Sequence, residues 1–152
     1  MTNELKSASF EELFKVNVNE HTETRGELPN GKPLTYLSWA WAWAAFKKMC
    51  PKAKFKVIHN EEQGGNPMFK SGTTYEVRTS VTADGTWEDT IDMWLPIMDY
   101  RNRAIEAPNS FDVNSSLMRC LVKNLALFGL GLYIYAGEDI PQDPIKSTPT
   151  LN

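Results

Sequence analysis

Apolar and polar positions repeat along this chain with two different periods, and the stretch where the two conflict is the most informative. Residues 34–49 read LTYLSWAWAWAAFKKM, with Trp39, Trp41 and Trp43 separated by single alanines. Alternation suits a strand with one buried face, yet alanine is the strongest helix former and a poor strand former. At about 100° per residue, Trp39, Trp43, Phe46 and Cys50 fall within roughly 60° of one another, and Trp41 points to the opposite side near Lys48. A helix is therefore predicted, capped by Thr35 or Ser38 and stopped by Pro51. It offers two tryptophans to the core and leaves one over.

A period of two takes hold in AKFKVIHN (53–60), a strand with Phe55 and Val57 facing one way and Lys54 and Lys56 the other. GTTYEVRTSVTADGTWEDTIDMWL (72–95) reads as a hairpin. A two-residue Asp84-Gly85 turn mixes apolar and charged groups on both faces. A three-residue loop, Ala83-Asp84-Gly85 with Gly85 left-handed, instead pairs Tyr75 with Met93, Val77 with Ile91 and Val81 with Trp87. That register predicts an outer face of Glu76, Arg78, Glu88, Thr90 and Asp92, on which carboxylates neutralise Arg78, and turns Asp89 to the core side.

MDYRNRAIEAPNS (98–110) reads as a loop, and FDVNSSLMRCLVKNLALFGLG as a second long helix with Asp112 as its cap and Gly129 as its terminator. Its predicted buried stripe is Val113, Leu117, Cys120, Leu121, Leu125 and Phe128. A short helix is expected around Phe10 to Phe14. The order predicts an α+β fold in one domain: a three-stranded antiparallel sheet, one strand followed by a β-hairpin, packed by helices on one face. Residues 1–8 are expected to form an N-terminal tail, 9–139 the domain, and 140–152 a polar, proline-bearing disordered tail.

The net charge of −3 hides a segregated distribution. Residues 31–60 carry six lysines and no acid, whereas residues 61–100 carry two basic and eight acidic groups. Residues 101–135 are basic again, with four cations against two acids. Such a chain can present one basic face to a polyanion while the rest stays acidic. Arg119 and Lys123 stand four residues apart on the outer side of their helix with no acid at helical pairing distance, and Arg101 and Arg103 lie in the preceding loop. Cys50 and Cys120 are far apart among apolar residues and read as buried free thiols in a reducing compartment. With no apolar run near the roughly 18 residues of a membrane span and no signal-peptide core at the N-terminus, a cytoplasmic location is expected.

Three motifs tempt and fail. GELPNGKP (26–33) satisfies the spacing of a phosphate-cradling loop, but Pro33 occupies the position of the magnesium-binding hydroxyl and no apolar strand leads in. His21 and His59 have no metal-ligand spacing to each other or to the cysteines, so no metal is expected. Glu76, Glu88, Asp89 and Asp92 could hold magnesium for a nuclease, but no Asp/Glu-x-Lys lies among them to supply the lysine commonly placed beside such a metal.

Four stretches in order, SFEELFKVNV, LTYLSWAWAW, LPIMDYRNRAI and SFDVNSSLMRCLVKNLALFGLGLYIYAGED, resemble the Sak and Erf group of phage single-strand annealing proteins. The core of that group is similar to the ring-forming annealing domain of the eukaryotic Rad recombination mediators. The resemblance covers Ser9 to Asp139. It implies a cofactor-free, non-enzymatic protein that binds single-stranded DNA along a basic groove, without sequence preference, and anneals complements without ATP. It also implies a homo-oligomeric ring or helical filament serving phage recombination and DNA repair in the host cytoplasm. A phage exonuclease or a host single-strand-binding protein is an expected partner. The two adjacent basic positions of the eukaryotic-type domain correspond to Val122 and Lys123, and a further DNA-contacting arginine corresponds to Trp41. One charge of the pair is thus missing, and Arg119, Arg101 and Arg103 are the expected substitutes. Lys48, Lys54 and Lys56 complete the candidate DNA-binding set, with base stacking as a role for Trp41. The rival readings are a magnesium-dependent nuclease using the hairpin acids and a passive single-strand coat.

Overall fold

The computed structural model describes residues 6–27, 31 and 33–136. Through them run α1 (Phe10–Phe14), β1 (Thr22–Glu27), β2 (Pro33–Leu37), α2 (Trp39–Met49), β3 (Lys54–Val57), β4 (Phe69–Ser71), β5 (Thr74–Thr82), β6 (Ile91–Pro96) and α3 (Ser110–Leu127). Single turns of 3-10 helix lie at Asn19–His21, Glu61–Gln63 and Leu132–Tyr135. The class is α+β as expected. In place of one three-stranded sheet, however, there are two sheets, an antiparallel β1–β2 pair and a four-stranded sheet built on β5.

β6 pairs with β5 from Glu76 to Val81. β3 pairs with Thr79–Thr82 and β4 with Thr74–Glu76, both overlapping residues already bonded to β6. A strand has two edges, so β3 and β4 lie end to end along the second one. The four-stranded sheet is therefore three strands wide, and the expected strand-then-hairpin arrangement sits inside it. The strands that the hydrophobic pattern does not reveal are short or polar: TETRGE (β1) has no apolar residue, and FKS (β4) has only one.

The hairpin register differs from expectation. Val77 faces Leu95, Thr79 faces Met93 and Val81 faces Ile91. The connection spans residues 83–90 because the Asp84 carboxylate closes the chain on itself just past β5. It accepts from Thr82 Oγ1 at 2.9 Å, Thr86 N at 2.9 Å and Thr86 Oγ1 at 2.8 Å, with Gly85 left-handed as expected. The slip from the expected pairing is four residues, an even number, which leaves every side chain on its original face. Hydrophobic alternation cannot tell the two registers apart. Glu88, Thr90 and Asp89 consequently lie in the loop, Asp89 exposed instead of facing the core. Arg78 is neutralised as expected, by Glu76 at 2.9 Å, and its guanidinium lies 3.7 Å above the Phe69 ring.

α2 is capped by Ser38, whose side chain accepts from Trp41 N. Its buried residues are Ala42 and Phe46, with Cys50 just past its end; Trp39, expected in that stripe, is 46 % exposed. Side chains on a helix lean toward its N-terminus, so a ring on the first helical residue overhangs the end of the layer. α3 begins one capping box earlier than expected. Asn109 Oδ1 accepts from Asp112 N and the Asp112 carboxylate accepts from Asn109 N, each at 2.9 Å, so Asp112 is the partner of the cap.

The stripe of α3 is wider than a single face. Ser116, Val122, Asn124 and Ala126 are buried in addition to Val113, Leu117, Cys120, Leu121 and Leu125, and Phe128 is half-buried. The helix is covered from two sides. One cluster, with Val77, Leu95 and Ile97, lies between α3 and the sheet; the other joins α3 to α1 and α2 through Leu13, Phe46 and Leu130. Each large apolar side chain taken wholly out of water contributes about 1.5–3 kcal/mol, so these two clusters outweigh local propensity in holding α3. Asn124 pins it laterally, its Nδ2 donating to Thr79 O at 3.3 Å and Ile91 O at 2.9 Å. Ser7 and Ala8 are bonded to Ala83 O and Met49 O, and the tail expected over 140–152 lies outside the described residues.

Candidate nucleic-acid interface

A groove opens between β2, α3 and the loop after β6, lined by Thr35, Tyr36, Asn102, Arg119, Lys123 and Tyr135. Arg119 and Lys123 reach it because the inner arc of α3 is committed to the two clusters, leaving this flank to face β2. The Arg119 guanidinium lies 4.8 Å from the centre of the Tyr36 ring, and Lys123 Nζ lies 5.9 Å from that of Tyr135. Cations over ring faces are attracted by the ring quadrupole.

Arg119 Nη1 donates to Asp99 O at 3.2 Å and Nη2 donates to Asn102 Oδ1. Both acceptors are uncharged. Among the described residues no carboxylate forms an ion pair with Arg119 or Lys123. Two positive charges thus share one groove with no ion pair to a carboxylate among the described residues, which suits a polyanion.

The loop supplying those acceptors is ordered by Asp99. Its carboxylate accepts from Arg101 N at 2.9 Å, from Arg103 N at 3.0 Å and from Arg103 Nε at 3.0 Å. The Arg103 N–H foremost, then the Arg101 N–H and the Arg103 guanidinium, hold this carboxyl below its ordinary range. Tyr36 Oη donates to Tyr100 O at 2.6 Å and ties the loop to β2.

The structure divides the eight predicted DNA-binding residues. Arg119 and Lys123 share the groove, with Arg101 and Arg103 in its bordering loop; Arg101 leans on Tyr100, and Arg103 is ion-paired to Asp99. Lys54 and Lys56 alternate with the core-packed Phe55 and Val57 and so occupy the opposite, outer face of the sheet, where Lys56 Nζ sits 4.4 Å over Trp87. Lys48 is exposed in the last turn of α2. Trp41 is half-buried, one face of its ring stacked on His21 at 4.1 Å and 11°. Sequence reasoning missed Tyr36, Tyr135, Asn102 and Asp99. Only Asn102 carried a local signal, since asparagine in a polar loop tolerates the left-handed backbone it adopts here at φ 61°.

The other chemistries find little geometric support. Cys50 and Cys120 are buried and unpaired, and burial pushes the Cys120 thiol up to about 11. Among the described residues no three His, Cys, Asp or Glu side chains gather as a metal site, and no helix is long and apolar enough to cross a membrane. Gly26 and Glu27 lie in β1 and Pro33 in β2, so a strand follows where a phosphate-cradling loop needs a helix; residues 28–30 and 32 of that motif lie outside the described residues.

No individual curated protein matches the chain significantly. The family model described as Sak Single Strand Annealing Protein matches residues 7–151, a span that includes both sheets, all three helices and every residue of the groove. By that match the chain belongs to the Sak single-strand annealing protein family.

Proposed function

We propose that this protein binds single-stranded DNA without sequence preference and anneals complementary strands without ATP, as a homo-oligomer acting in phage recombination. The observation that carries this reading is the pair Arg119 and Lys123 in the groove between α3 and β2, ion-paired to no carboxylate among the described residues, in a chain of an annealing family. Phosphate contacts carry no sequence information, so a groove that holds the backbone leaves base edges open to test a second strand. Neighbouring copies extend the short groove of one subunit until enough nucleotides are held in register. No bond is made or broken.

Annealing of labelled complementary oligonucleotides, with and without ATP and magnesium, tests the reading. The wild type is expected to accelerate duplex formation equally with and without ATP, and to conserve strand lengths in magnesium. Arg119→Ala with Lys123→Ala should lower the salt slope of single-strand binding by about 0.7 for each phosphate no longer held, and slow annealing with it. Strand shortening in magnesium points to a nuclease, and binding without acceleration to a passive coat.

A further inference from the structure

We propose that Asn102 is a positioning residue, holding Arg119 ready for a phosphate while leaving its charge intact. The inference rests on the reading of the groove as the DNA site. A closed circuit runs from Arg119 to the loop through Asp99 O and Asn102 Oδ1, from the loop to Tyr36 through Tyr100 O, and from Tyr36 back to Arg119 through its ring. Two of the five guanidinium N–H groups are engaged by neutral acceptors, and the fixed plane aims the others. Asn102 meets Arg119 from a left-handed backbone, φ 61°, a conformation few side chains adopt without cost. The carboxylate of Asp99, whose backbone oxygen holds Arg119, is engaged instead by Arg101 N, Arg103 N and Arg103 Nε. The arrangement separates two tasks that one aspartate at position 102 would confuse. An amide oxygen orients the guanidinium, whereas a carboxylate would orient it and cancel the charge that phosphate must meet.

The test is a double-mutant cycle on the full chain, with Asn102→Gly, Arg119→Ala and their combination titrated against fluorescein-labelled oligodeoxythymidine at several salt concentrations. Glycine keeps the left-handed backbone and removes only the amide. In the wild-type background Asn102→Gly is expected to weaken binding about two- to tenfold, the cost of immobilising a long side chain at the moment of binding. In the Arg119→Ala background it should add nothing. Asn102→Asp, which keeps the shape and the acceptor, should lower the salt slope by about 0.7, the value of one phosphate contact. Equal effects of Asn102→Gly in both backgrounds, or a wild-type salt slope for Asn102→Asp, overturn the proposal while leaving the groove in place. Wild-type affinity of Arg119→Ala overturns the groove reading itself and the positioning role with it. Circular dichroism confirms folding, and if the glycine variant does not fold, the aspartate variant decides.

Discussion

Arg119 and Arg78 are the same side chain in two electrostatic settings. Arg119 is oriented by a backbone carbonyl and an amide, both neutral, whereas Arg78 meets the Glu76 carboxylate at 2.9 Å on the far side of the sheet. Arg78→Ala is therefore expected to leave DNA affinity nearly intact. An exposed ion pair is worth about 0–1 kcal/mol and the stacking on Phe69 a similar amount, so the loss of stability should be modest. Anisotropy and denaturant titrations check both halves; a drop in affinity matching that of the Arg119 and Lys123 double variant would move the DNA site to the outer face of the sheet. Asp99 bears on the groove differently. Its carboxyl is held below the ordinary value, so its ordering of the loop is complete at neutral pH and is lost as pH falls through that depressed value.

Among the elements, α1 and the end of α3 depend on one glycine. Gly129 terminates α3 at φ 122°, and a Cβ built there would lie 2.6 Å from Phe10 O and 3.1 Å from Leu13 Cβ. The first of these is backbone, which cannot turn aside. Gly129→Ala is expected to cost about 2–4 kcal/mol, combining backbone strain with displacement of α1 from its seat. Urea unfolding monitored by tryptophan fluorescence measures the cost, and an unchanged midpoint would show that α1 is free to move away. The capping box before α3 is a weaker device, worth about 1 kcal/mol, because the two clusters flanking the helix hold it regardless.

On the scale of the whole molecule, large apolar rings stand out of the surface at several separate places. Phe111 is 77 % exposed on α3, Trp94 61 % on the outer face of β6, and Trp39 and Trp87 are also exposed. Burial of such surface between copies is the expected source of assembly. Multi-angle light scattering should find a species well above a dimer at micromolar concentration; a monomer with and without DNA would refute assembly. The charge segregation seen along the chain is redistributed in space. The lysine-rich segment 31–60 and the cations of 101–135 end on different faces, with Lys54 and Lys56 on the outer sheet and Arg119 and Lys123 in the groove.

Local chemistry and periodicity were enough to determine α1, the helical answer to the tryptophan–alanine alternation, the strand–hairpin order, the buried thiols and the shared flank of Arg119 and Lys123. These depend on residues within a few positions of one another, where propensity and spacing act directly. Only the tertiary structure decided the hairpin register, because a four-residue slip changes no side chain's face and the choice falls to three hydrogen bonds on Asp84. It alone revealed β1 and β4, whose residues have too little apolar patterning to announce a strand. It also assembled Tyr36, Asp99, Asn102 and Arg119 from three separate segments. What makes Arg119 distinctive is the neutrality of its partners, and partners far apart in the chain are chosen by packing.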